Sequence, residues 1–162
     1  MKLYMRRETY EHSSFFSIID DQGEKKYKVL CKNFQLGKCF FLLDASQINL
    51  ATIRSLIFPF ISVYLIRFGL REISVMENHL HKTPAYSILG IDWKFKSGLA
   101  PYSFSVFDRS SELIMSQFKE VGRTFSNYEI EICKHEFEIA CLCISICVNN
   151  LLINDSKIYE LT

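Results

Sequence analysis

Phe137-Glu-Ile-Ala-Cys-Leu-Cys-Ile-Ser-Ile-Cys-Val148, followed by Asn149, Asn150, Leu151, Leu152 and Ile153, is unlike any other stretch of this chain. Residues 139–148 do not alternate apolar with polar, as a strand with one wet face would. A helix that is apolar all round belongs in a protein interior or a membrane. Glu136 and Glu138 stand at its start, where carboxylates suit the positive end of the helix dipole. Asn149, Asn150, Asn154 and Asp155 follow it, and Asn suits helix termination. The pattern predicts a helix over 135–152, roughly 27 Å long at 1.5 Å per residue. Ala140, Cys141, Cys143, Ser145 and Cys147 are small, so surrounding walls can approach closely. A membrane span needs about 20 apolar residues, and this run meets two asparagines well before that. A second apolar stretch, 50–68, contains Arg54, Pro59 and Arg67 and reads as two strands joined at Phe58-Pro59. A soluble, cytoplasmic chain is expected.

Everything before the helix reads as β. Short runs rich in β-branched and aromatic residues recur about every ten residues between turn signals, the spacing of a sandwich or barrel. Candidate strands cover about 3–10, 15–19, 25–31, 38–44, 49–57, 61–68, 72–77, 86–90, 91–96, 102–108, 113–118 and 125–132. In the third, Tyr27, Val29 and Cys31 share one face and Lys26, Lys28 and Lys32 the other, the period-two signature of a pleated strand. Cys39, Phe41 and Leu43 fall together, as do Ala51, Ile53 and Ile57. Trp93 and Phe95 point inward against Lys94 and Lys96 outward, and Tyr128, Ile130 and Ile132 form another apolar face. Asp20-Asp-Gln-Gly23 and Asp108-Arg-Ser-Ser111 read as turns.

An all-apolar helix on the outside of a sheet would expose a large apolar patch. A closed barrel removes sheet edges and supplies an interior, and width grows with strand number. The expected fold is therefore mainly β: a twelve-stranded closed antiparallel barrel, strands over about 2–132, around a central helix at 135–152, with 1–162 as one domain.

The totals narrow the function classes. With 162 residues the chain is long enough for a substantial core, and 49% hydrophobic residues argue against disorder. Nineteen Lys plus Arg against eighteen Asp plus Glu is not the basic excess of a nucleic-acid binder. The N-terminal ten residues lack the apolar core of a secretory signal. Six cysteines match no paired zinc spacing, and most read as small buried hydrophobes. His79 and His81 lack an evident third ligand, so neither a metal nor a cofactor is expected. His12 and His135 are isolated; Asp20, Asp21 and Asp108 serve turns; Cys31 and Cys39 have no sequence-evident activating partner. Phosphate-loop and dinucleotide glycine patterns are absent. The candidate binding residues are Lys26, Lys28, Lys94 and Lys96, an anionic-headgroup patch if their strands lie close. Alternation alone places all four on a solvated outer face.

The order of elements resembles the LURP-one-related proteins of the tubby C-terminal-like superfamily. Phe16-Ser-Ile-Ile-Asp-Asp-Gln-Gly23 followed by Tyr27-Lys-Val29 resembles their early strand, turn and strand. Ser87-Ile-Leu-Gly90 and Tyr102-Ser-Phe-Ser-Val-Phe-Asp108 resemble their later hairpins, and Thr124-Phe-Ser-Asn-Tyr-Glu-Ile-Glu-Ile132 their final strand. Asn149-Asn150 stands where members carry an Asp after the helical run. The resemblance implies a twelve-stranded barrel around a hydrophobic helix. It also implies a link to membranes, since tubby domains bind phosphoinositide headgroups and scramblases act on bilayers. Tubby's lipid-binding residues have no positional match here, and a fold alone does not establish function. The leading expectation is a non-enzymatic binding or scaffold domain, its partner an anionic membrane surface or a protein. The alternative is a small-ligand-binding or catalytic barrel with a pocket at one end.

Overall fold

The computed structural model describes residues 1–10, 13–34, 37–80, 85–100, 102–120 and 127–149. Twelve strands precede the helix, as the alternation predicts. They are β1 (Lys2–Tyr10), β2 (Ser13–Asp20), β3 (Lys25–Phe34), β4 (Gly37–Asp44), β5 (Asn49–Ile57) and β6 (Ile61–Phe68). The second half holds β7 (Arg71–Asn78), β8 (Ala85–Leu89), β9 (Trp93–Ser97), β10 (Phe104–Asp108), β11 (Leu113–Lys119) and β12 (Asn127–Ile132). Consecutive strands pair antiparallel, and β1 also pairs with β12. The one interruption lies between β8 and β9, which end the hydrogen-bonded order. The result is a nearly closed barrel. One aromatic contact bridges the seam, Tyr86 to Phe95 with ring centroids 4.9 Å apart, and Phe104 on β10 stacks behind Phe95 at 4.8 Å.

The helix fills the interior. A 3-10 turn, His135–Phe137, leads into α1 (Glu138–Asn149), whose residues from Ala140 onward are all buried. Twelve residues give roughly 18 Å of α-helix. The expected first turn is 3-10 rather than α, and the expected end at 150–152 lies outside the described residues. Inward side chains from every strand surround the helix, among them Leu3, Met5, Ile18, Leu42, Ile53, Ile66, Val75, Val106 and Ile130. No helix among the described residues is long and apolar enough to cross a membrane.

The helix enters beside the 20–25, 44–49 and 108–113 turns and runs toward the opposite end of the barrel. Three of the entry-end turns share one design. Asp20 Oδ1 accepts the N–H groups of Gln22 and Glu24, Asp44 those of Ser46 and Ile48, and Asp108 those of Ser110 and Glu112. The fourth residue of each has positive φ: Gly23 at 85°, Gln47 at 65° and Ser111 at 64°. Carboxylate-to-backbone bonds of this kind stabilise turns and lower the Asp pKa, as they chiefly do for Asp20; the Asp108 pKa is lowered first by the Lys134 ammonium and then by the backbone bonds.

Some details depart from expectation. Cys39, Phe41 and Leu43 do share a face, but the core takes Phe40 and Leu42, because β4 is registered Leu42 to Val29 and Phe40 to Cys31. Ile57 shares the inward parity of Ala51 and Ile53, yet it ends β5 and is 54% exposed. Tyr102 lies outside β10, with φ at 62° and its carbonyl accepting Gln117 Nε2–H.

Candidate functional site

The four candidate lysines are not brought together. Lys26 and Lys28 sit on β3, Lys94 and Lys96 on β9, and five strands intervene along the sheet. In a twelve-stranded ring β3 and β9 stand on opposite sides. Lys26 is also engaged, 3.2 Å from Asp20 and 3.1 Å from Glu24, at the entry end. The expectation of one patch on these residues fails because the strands' separation in the sheet could not be read from alternation alone.

Other residues singled out in the sequence take structural places. Cys39 lines a shallow outer depression with Thr52, Arg54 and Leu65. Burial pushes its thiol pKa up, with Arg54 and Lys32 opposing only partly, so it is not an activated thiolate. Among the described residues no three His, Cys, Asp or Glu side chains come together as a metal site. His12 and His81 lie outside them.

One buried cluster escaped sequence reasoning. Ser62, Glu77 and Tyr86 are direct cross-strand neighbours on β6, β7 and β8, all facing inward near the helix-exit end. Glu77 is fully buried. Its carboxylate accepts hydrogen bonds from Tyr64 (3.3 Å) and Tyr86 (3.2 Å), and His79 Nδ1 lies 3.6 Å away. His79 Nε2 shares a 2.8 Å hydrogen bond with Ser62 Oγ. Burial raises the Glu77 pKa, with His79, Tyr86 and Tyr64 opposing. The order hydroxyl, imidazole, carboxylate resembles a nucleophile relay. However, Ser62 is only 3% exposed, and a carboxyl with a raised pKa is poorly suited to hold an imidazolium. The cluster satisfies a buried carboxyl group. Nearby, Gln117 exchanges hydrogen bonds with Asn149 and accepts one from Ser145, locking the helix end to β11.

Above this cluster the barrel presents an apolar rim. Phe34, Ile57, Phe58, Phe60, Leu80 and Leu99 are each more than half exposed. They occupy the β3–β4, β5–β6, β7–β8 and β9–β10 tips, four neighbours at the helix-exit end. The His79 N–H donates to the Phe60 carbonyl (2.9 Å), tying two of these tips together. At the entry end, only Ile48 and Leu70 are comparably exposed among the described residues. Charge is also uneven. Asp20, Asp44, Asp92, Asp108 and Glu112 gather at the entry end, four of them paired with Lys26, Arg109 or Lys134, while Lys32, Lys38, Lys96 and Lys119 lie close to the rim with Glu120.

The LURP-one-related family model matches residues 1–149. The chain belongs to the LURP-one-related family. Its fold is similar to that of an Arabidopsis thaliana protein solved by X-ray crystallography, with a TM-score of 0.55, 18% identity and 91% of each chain covered. At that identity the likeness concerns the fold of this LURP-one-related chain alone. No curated protein matches it.

Proposed function

We propose that this LURP-one-related domain is a non-enzymatic binding module that docks on an anionic lipid surface through its helix-exit end. The observation that carries this reading is the rim: six large apolar side chains on four adjacent tips. A contiguous exposed apolar patch rimmed by polar groups marks an interaction surface. Burying each such side chain fully contributes about 1.5–3 kcal/mol, and partial insertion into a bilayer interface recovers a share of that. Lysines beside the rim add roughly 1 kcal/mol each near an anionic leaflet, whereas the cations of the entry end are largely held in ion pairs. The cytoplasmic leaflet, where anionic lipids concentrate, is the setting that fits this polarity.

The test is co-sedimentation with neutral and phosphatidylserine-containing vesicles at low and high salt. The wild-type protein pellets with anionic vesicles, more weakly at high salt. Phe58→Ser with Phe60→Ser removes binding, and Lys96→Gln with Lys119→Gln reduces its salt-sensitive part. Lys26→Gln leaves binding unchanged, because Lys26 is at the far end and paired. Failure of the wild-type protein to pellet under all conditions ends the lipid reading and makes a protein the rim's partner.

A further inference from the structure

We infer that the helix-entry end carries a binding pocket for a small anionic amphiphile, an apolar body with one carboxylate-like group. This site is independent of the rim and lies at the opposite end of the barrel. The cavity measures about 310 Å³, at the lower bound of ligand-sized pockets, roughly 300 Å³. It opens between the first turn of α1 and the ends of β6, β7 and β8.

Its walls are apolar for a readable reason. Phe68 and Ile73 continue the inward alternation of β6 and β7, Ile91 follows β8, and Phe137 closes the helical side. Ala140 contributes only a methyl group, which leaves room that a larger residue would fill. Gly90 permits the turn behind Ile91. Its φ is +89°, and a Cβ there would meet the Glu72 carbonyl oxygen at 3.0 Å.

Charge at the lip comes from Arg71. It pairs across the turn with Phe68 and shares the inward parity of Ile73 and Val75, so it belongs to the mouth of the barrel rather than its outer wall. Its neighbour Glu72 is already held by Arg67, with Nη2 to Oε2 at 3.0 Å. Glu138, in the first turn of the helix, accepts a 2.6 Å hydrogen bond from the Tyr27 hydroxyl. No ion pair engages Arg71 among the described residues. An unpaired guanidinium above an apolar floor selects a ligand with an anionic head and an apolar tail, because a guanidinium binds carboxylates in a bidentate fashion.

The molecule contains its own reporter. Trp93 is the single tryptophan and packs edge-on against the Phe137 wall, with ring centroids 5.0 Å apart. Titration with decanoate below its micellar concentration, read by Trp93 emission and by calorimetry, tests the site. A saturable response is expected. Arg71→Gln weakens decanoate binding about tenfold or more and leaves decanol binding unchanged. Ile91→Glu, a charge placed at a half-exposed lip, abolishes decanoate binding while the thermal transition is retained. Phe58→Ser with Phe60→Ser keeps full decanoate binding, so loss of vesicle docking and loss of the pocket are separable outcomes. Absence of any saturable response, or equal decanoate affinity in wild-type protein and Arg71→Gln, overturns the inference.

Discussion

Glu77 shows how one residue sets a pH dependence. Its pKa is raised above the ordinary value of 4.5, chiefly by burial. From pH 4.5 up to the folded pKa, the native state therefore holds more protons than the unfolded chain. In that window stability falls as pH rises. Glu77→Gln keeps an acceptor for Tyr64 and Tyr86 but cannot ionise, so its stability relative to wild type improves progressively above pH 4.5. Melting temperatures of both proteins from pH 4.5 to 8 check this; a constant difference between them contradicts it. Gln47 and Ser111 offer a second case. Both have φ near 65°, a left-handed conformation that costs a residue with a Cβ about 1 kcal/mol relative to Gly. Gln47→Gly is expected to raise the melting temperature by roughly 2–4 °C, the shift that corresponds to about 1 kcal/mol in a chain of this size. Gly37 is the converse: a Cβ there would lie 2.1 Å from the Ser55 carbonyl oxygen, against backbone that cannot yield. Gly37→Ala is expected to cost several degrees in the same assay.

The helix has its own test at the scale of an element. Ile144 is fully buried among inward side chains of the surrounding strands. Ile144→Asp places an unpaired charge there, a cost too large for a domain of ordinary stability. No folded protein is expected, as read by circular dichroism and solubility; a soluble, cooperative mutant contradicts the buried-helix architecture. The helix thiols provide a milder probe. Burial pushes Cys141 up to about 12 and raises Cys143 and Cys147 as well. Native protein should react quickly with a thiol reagent at exposed Cys133 and leave these three untouched until it unfolds. The strands were most legible where period-two alternation is clean, as in β5, β6 and β7, and least so in β11, where Ile114 to Gln117 are all buried. Turn chemistry was legible where Gly23 marked it and silent at Gln47, where a residue that does not announce a turn adopts the same geometry.

For the molecule as a whole, the seam is the weak line. β8 and β9 each lack a ladder on one side; the Tyr86–Phe95 contact bridges the gap, and Phe104 backs Phe95 from β10. Phe95→Ala should speed amide exchange in β8 and β9 while leaving β1 to β3 protected, because those strands are paired on both sides. Uniform acceleration across the barrel contradicts the seam as a local opening. The rim and the entry-end pocket are likewise properties of the assembled barrel. Each draws residues from several strands or turns, and no single segment announces either.

Sequence by itself determined the architecture. An apolar helix cannot be left wet, and twelve alternating strands around it have few other ways to bury it. Burial on one face or all faces is written in local periodicity, and the family resemblance agrees with it. Tertiary structure alone decided what converges. Strand order placed Lys26 and Lys28 across the barrel from Lys94 and Lys96. The same order set Ser62, Glu77 and Tyr86 side by side, though 24 positions separate the first from the last. It also gathered Phe34, Phe58, Leu80 and Leu99 at one end. Alternation tells a side chain which face it takes; only the ring of strands tells it which neighbours share that face.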